Sequence, residues 1–111
     1  MSEQIIDLVT FKELQETAGA DFVTELVVAF FEEAPAMLEE LRTAYATQAT
    51  ERFRRTAHSL KSNGDTFGAR KLGAMARALE LGEVRADDAA IAAISAEYER
   101  VAAALKELCH G

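Results

Sequence analysis

One histidine is placed to do chemistry. With Glu51 to Asp65 taken as a helix, Phe53, Ala57, Leu60, Gly64 and Phe67 recur at alternating spacings of four and three, forming an inward stripe. His58 lies two positions before Leu60, so it points about 160° away from that stripe, toward water. Its neighbours at helical spacing are Arg54, Arg55, Lys61 and Ser62. An imidazole framed by cations suits an anion. A neutral ring nitrogen can attack a phosphoryl group at neutral pH and hold it as a high-energy adduct. Such transfer depends mostly on positioning and on balancing the phosphoryl charge. Lys61 at i+3, Arg54 at i−4 and Arg55 at i−3 can supply that balance. Arg54 and Arg55 read equally well as an ordinary solvated face.

The rest of a kinase is missing. There is no G-x-x-x-x-G-K-[ST] loop and no glycine-rich lid over a nucleotide. The chain is therefore expected not to be an enzyme that uses ATP, but a carrier that takes its phosphoryl group from another protein and passes it on. No clustered carboxylates suggest a Mg²⁺ site. Glu107-Leu-Cys-His110 contains one Glu-x-x-His spacing with Cys109 inside it. A di-iron bundle needs two such motifs and two further glutamates facing the core, so this copy near the end of the chain reads as incidental.

Composition sets the frame. The sequence has 111 residues, half of them hydrophobic, with one proline and one cysteine. That is the size of a single domain with one core, and residues 1–111 are expected to form one helical-bundle unit. Met1 to Asp7 lacks the basic start and apolar core of a signal peptide. The longest uncharged apolar run, Leu26 to Phe31, is far too short to span a bilayer. A lone Cys109 fits a reducing cytoplasm. The net charge of −7 argues against a nucleic-acid partner. The charge is uneven, however: residues 51 to 77 hold seven basic and two acidic groups. This basic region on an acidic body suits docking to an acidic protein surface.

Five helices and no strand can be read. Thr10-Phe-Lys-Glu13 has the form of a capping box and Gly19 that of a stop, giving a short first helix with Phe11 and Leu14 on one side. Asp21 is expected to cap a long second helix, with Phe22, Leu26, Phe30, Ala34, Met37, Leu41 and Tyr45 inward. Pro35 within it predicts a kink or break near Phe31 to Glu33. The histidine helix starts at Thr50–Glu51 and should fade between Asn63 and Phe67, with Gly68 at the turn. A fourth helix follows from about Ala69 to Leu81, with Leu72, Met75, Ala76 and Leu79 inward, and Gly82 ends it. Asp87 or Asp88 caps a fifth, carrying Ile91, Ile94, Tyr98, Val101, Leu105 and Leu108. Short connections favour antiparallel neighbours. The expected fold is all-α: an antiparallel four-helix bundle with an additional short N-terminal helix.

With these elements in place, the chain resembles the histidine-containing phosphotransfer (HPt) domains of two-component phosphorelays. The resemblance rests on Ala57-His58-Ser59-Leu60-Lys61, on Phe67-Gly68-Ala69 at its offset from the histidine, on Leu72 and Leu79-Glu80, and on Phe30-Phe31-Glu32-Glu33-Ala34-Pro35 followed by Leu38 and Leu41. It implies that His58 is the phosphoacceptor through Nε2 and that Lys61 stabilises the phosphoryl group. It implies partners as well: response-regulator receiver domains and a hybrid sensor histidine kinase. No cofactor of the chain's own is implied; Mg²⁺ would sit on the receiver. The docking surface implied is apolar, ringed by charge. Phe11, Leu14, Phe31 and Phe67 are its apolar candidates, with Arg54, Arg55, Ser62 and Asp65 around them. The chain is expected to act as a monomer. Phe30 and Phe31 are adjacent, so one is expected in the core and the other facing a partner.

The chain departs from the family just after the lysine. Glycine is usual at the position of Ser62, followed by small residues; here the run is Ser62-Asn63-Gly64. Serine is only slightly larger, and its hydroxyl could contact the ring or a phosphoryl oxygen, so the change reads as tuning of partner or rate. Gly64 faces inward, where close approach of another helix would explain it. A second reading stays open: a non-catalytic helical adaptor, a degenerate HPt that binds a receiver or kinase without phosphotransfer.

Overall fold

The computed structural model describes residues 5–110, except for the side chain of His110. The His110 half of the Glu-x-x-His spacing therefore lies outside the described residues, as do residues 1–4 of the Met1 to Asp7 segment. Five helices follow in order: α1 Leu8–Ala18, α2 Ala20–Ala46, α3 Thr50–Thr66, α4 Arg70–Leu81 and α5 Asp88–His110. Among the described residues there is no strand. Helices α2 to α5 close a ring of contacts, with α3 packed most extensively on α4, and α1 rests across α2 and α3. The connections between them are short, so the four long helices form an antiparallel bundle with one short helix added, the architecture the sequence implies.

Two helix starts differ from expectation. The N-cap of α1 is Asp7, whose carboxylate accepts from the Val9 N–H at 3.1 Å; Thr10 lies inside the helix, so the Thr10–Glu13 capping box does not operate. The N-cap of α2 is Gly19, with no side-chain cap, and Asp21 sits in the first turn, where its charge favours the helix dipole. Asp87 does cap α5, accepting from the Ala90 N–H at 2.9 Å.

The long helix α2 is unbroken through Pro35. Proline removes only one donor, leaving the Phe31 carbonyl without its usual i+4 partner, and the turns on either side are held by packing. Its buried stripe is Val23, Val27, Phe30, Ala34, Leu38, Leu41 and Ala44. The expected stripe agrees at Phe30, Ala34 and Leu41 but is one residue out at Val23, Val27, Leu38 and Ala44. Phe22 and Tyr45 are exposed, and Leu26 and Met37 are half-buried. Near the ends of a long helix less of a neighbour remains to cover a bulky ring, and smaller side chains turn inward.

The histidine hairpin is built as the spacing requires. On α3 the buried residues are Phe53, Ala57, Leu60 and Gly64, and on α4 Leu72, Gly73, Ala76 and Leu79. The turn between them is a Schellman closure: the Gly68 N–H donates to the Asp65 carbonyl at 3.1 Å and the Ala69 N–H to the Gly64 carbonyl at 2.8 Å. Gly68 has φ of 82°, and a Cβ there would fall 2.8 Å from the Asp7 carbonyl oxygen. Its own carbonyl accepts from the Asp7 N–H at 2.8 Å, tying the start of α1 to the hairpin. Phe30 anchors the core between Phe67 and Tyr98, with ring centroids 5.4 and 5.5 Å away. A buried carboxylate that no periodicity flagged, Glu97 on α5, accepts from Arg100 at 2.7 and 2.8 Å and lies 4.0 Å from Lys71 Nζ on α4.

Candidate functional site

His58 sits in the middle of α3 on its outward face, with its side chain 57% exposed. The inward stripe fixes this orientation: Ala57 and Leu60 are fully buried, so the residue between those rows must turn to the surface. The ring is not free. Its Nδ1 lies 2.9 Å from Oε2 of Glu80 on α4. A carboxylate can only accept, so Nδ1 carries the hydrogen. In the neutral ring Nε2 then holds the lone pair, which makes it the nucleophilic atom.

Glu80 is the functional candidate that sequence reasoning passed over. A signal for it existed. His58 is ten residues before Gly68 and Glu80 twelve residues after it, so an antiparallel hairpin turning at Gly68 brings the two level. The Glu80 side chain is 23% exposed. It emerges from the wall of an open cleft of about 790 Å³, bounded by Tyr45, Phe53, Arg54, Leu79 and Val84.

The basic region divides into two groups. Four of its seven cations meet carboxylates of other elements: Arg52 with Glu40 at 2.7 Å, Arg70 with Asp7 at 2.6 Å, Arg77 with Glu83 at 3.9 Å and Lys71 with Glu97 at 4.0 Å. Among the described residues, Arg54, Arg55 and Lys61 make no ion pair. These three flank His58 at i−4, i−3 and i+3, and they are available to an incoming anion.

Ser62 is exposed one turn beyond His58, and its carbonyl accepts from the Thr66 hydroxyl at 2.9 Å. Asp65 is exposed at the C-terminal end of α3, where its carboxylate lies against Gly73 of α4. Gly64 meets Gly73 across the helix pair, so the close approach inferred for it is present.

The apolar docking set needs correction. Phe11 and Phe67 are each 3% exposed, held in the core by α1 and by the α3–α4 turn, and neither offers a surface to a partner. Leu14 and Phe31 are half-buried. Of the adjacent phenylalanines, Phe30 is the core residue. Phe31 lies nearer the surface, with Lys106 Nζ 5.7 Å from its ring centroid.

An exposed, tautomer-fixed histidine on an all-helical bundle defines a class that comparison supports. The family model of the Hpt domain matches residues 25–110, most of the chain, and the chain belongs to that family. No match was found among curated proteins or among solved structures. Membership assigns the chain to histidine phosphotransfer in two-component signalling, as a phosphoryl carrier rather than an enzyme of the usual kind. Its kin interact with receiver domains and histidine kinases. Among the described residues, no helix is long and apolar enough to cross a membrane.

Proposed function

We propose that His58 carries the phosphoryl group and relays it between receiver aspartates. The observation that supports this most is the Nδ1···Glu80 contact of 2.9 Å, which leaves Nε2 as the nucleophile on an exposed ring. In the forward step the Nε2 lone pair attacks phosphorus and the bond to the receiver's aspartyl oxygen breaks, returning a carboxylate. In the onward step a second receiver's carboxylate attacks and the P–Nε2 bond breaks. Lys61, with Arg54 and Arg55, balances the phosphoryl oxygens. The chain contributes no cofactor in this reading; Mg²⁺ belongs to the receiver. Residues 1–111 work as one unit, as a monomer, in the cytoplasm, receiving the phosphoryl group through a hybrid sensor kinase. Ser62, beside the ring, adjusts how closely a receiver approaches.

Mixing the purified chain with a phosphorylated receiver, then adding a second, unlabelled receiver, tests the relay. Label is expected to move onto the chain and then off it, and His58→Gln is expected to break both steps. A variant that binds receivers as the parent does and signals normally without His58 would favour the adaptor reading instead.

A further inference from the structure

Exposed apolar side chains gather at the end of the bundle remote from α1. Tyr45 near the end of α2, Leu81 at the end of α4 and Val84 in the turn before α5 all meet solvent. Tyr45 and Val84 line the open cleft of about 790 Å³ from which Glu80 emerges, and Phe53 and Leu79 form its apolar floor. Leu79 and Val84 also line a groove of about 400 Å³ between α4 and α5, so the apolar surface continues around the end of α4. Gln48 completes the cleft wall. It has φ of 59°, the one non-glycine residue with left-handed backbone among the described residues. Glycine takes that conformation without strain; here an amide side chain is carried at the rim instead.

The cleft adjoins His58. Glu80 belongs to both: its carboxylate meets the ring at 2.9 Å and its side chain lines the cleft. Arg54 lines it too, four residues before His58, and makes no ion pair among the described residues. Along α3 the cleft begins about 6 Å from His58, at Arg54, and ends about 12 Å away, at Thr50. A protein partner of ordinary interface size covers about 800 Å² on each side, a disc of roughly 16 Å radius. A receiver that brings its aspartate to Nε2 therefore reaches over the cleft. The surface it meets there is an apolar floor and walls, with Arg54 as the cation at the mouth nearest the ring. The carboxylate beside it, Glu80, is taken up by His58.

Building on the assignment of His58 as phosphoacceptor, we propose that this cleft is a second anchor site for the receiver, one that takes an apolar side chain flanked by a carboxylate. The apolar side chain packs against Phe53, Leu79, Val84 and Tyr45, and the carboxylate meets Arg54. Gly68, at the far end of α3, is where α1 is tied to the hairpin. The cleft at the near end is therefore separate from any surface built on α1. It lies outside the reacting atoms, so it selects among receivers by how tightly they dock and leaves the chemical step alone. A receiver with a polar residue at that place loses the apolar contact and leaves Arg54 without its partner, which is how the cleft discriminates.

The test compares the full chain with Val84→Asn and Tyr45→Ser, each checked for helicity by circular dichroism. Val28→Asn is the control. Val28 is similarly exposed but stands on α2 three residues before Phe31, on the flank that meets Lys106 of α5. Of the phosphorylated receivers tried, the one that labels the parent fastest is the probe, and its transfer is followed by rapid quench over a range of receiver concentrations. Labelling by potassium phosphoramidate, a small chemical donor with no surface to dock, is followed beside it. Val84 is 46% exposed and Tyr45 40%. Covering that much apolar surface changes affinity roughly three- to tenfold. Each cleft variant is expected to raise the half-saturating receiver concentration by about that factor, with the limiting rate and phosphoramidate labelling unchanged. Val28→Asn is expected to match the parent. Unchanged half-saturation in the cleft variants, an equal rise in Val28→Asn, or a fall in limiting rate alone would overturn the anchor site and leave the phosphoacceptor assignment standing. So would a parent dimer, seen by light scattering, that Val84→Asn abolishes without altering transfer; the cleft would then be a contact between copies of the chain. A parent that no phosphorylated receiver labels at His58 would overturn both.

Discussion

Gly64 on α3 lies against Gly73 on α4: a Cβ at position 64 would fall 3.3 Å from the Gly73 amide nitrogen and 3.4 Å from the Ala69 carbonyl oxygen. Both neighbours are backbone atoms, which cannot rotate aside. Alanine at 64 would gain about 1 kcal/mol in helix propensity, but the tight contact is expected to cancel that gain. Gly64→Val adds crowding and is expected to destabilise by about 1–3 kcal/mol. Urea unfolding measures both. Because the same helix pair sets the His58–Glu80 distance, the valine variant is also expected to weaken the tautomer bias of His58; unchanged stability in Gly64→Val would contradict the packing argument.

Lys61 and the two arginines are expected to separate kinetically. Lys61 is one turn from His58, so Lys61→Ala removes a charged contact to the phosphoryl group and should slow transfer roughly tenfold. Arg54→Ala and Arg55→Ala should act more on encounter with the receiver, and their effects should fade as salt is raised. Rapid-quench transfer kinetics at two ionic strengths distinguish the two roles. A salt-sensitive Lys61→Ala defect confined to encounter would place the lysine with the arginines.

Burial predicts which phenylalanines hold the fold. Phe11→Ala and Phe67→Ala each empty a core site and are expected to cost about 3–5 kcal/mol. Phe31→Ala removes a half-buried ring and a cation–π contact of about 0.5–1 kcal/mol, so its total cost should be clearly smaller. Denaturant midpoints rank the three. An unperturbed Phe67→Ala would return that side chain to the surface.

Acid should weaken the start of α1. Partial burial pushes the Asp7 carboxyl upward, but the Thr10 backbone N–H, the Arg70 guanidinium, the Thr10 hydroxyl and the Val9 N–H together hold it below the ordinary carboxylate range. A group lowered on folding stabilises the native state fully above its unfolded value, and that contribution drains away as pH falls through the folded value. Asp7→Ala is therefore expected to melt below the parent at neutral pH, with the gap closing in strong acid. A gap that stays constant across that range would show that Asp7 acts without its charge.

The sequence made the hairpin legible because α3 and α4 follow strict 3–4 spacing and end in glycines whose chemistry is unambiguous. It misplaced Phe22 and Tyr45 because periodicity cannot say where a neighbouring helix ends, and a large ring was taken for a buried one. It pointed to Thr10 as the cap of α1, whereas Asp7 takes that place, tied there by long-range contacts with Gly68 and Arg70 that no local pattern displays. His58 was visible through its position opposite Leu60, and Lys61 through its spacing. Glu80 stood in the resemblance as part of Leu79-Glu80 but without a role, since its partnership with His58 is made across the turn between α3 and α4. Phe11 and Phe67 failed as docking residues for a related reason: resemblance locates a surface only approximately, whereas burial depends on the packing of this particular core.

The most direct measurement is localisation of the phosphoryl group. After transfer from a phosphorylated receiver, peptide mapping and phosphorus–nitrogen NMR of the intact chain should find one phosphohistidine, at Nε2 of His58, lost in acid and kept in base. His58→Gln should carry none. Label on another residue, or equal label on parent and variant, would contradict the account.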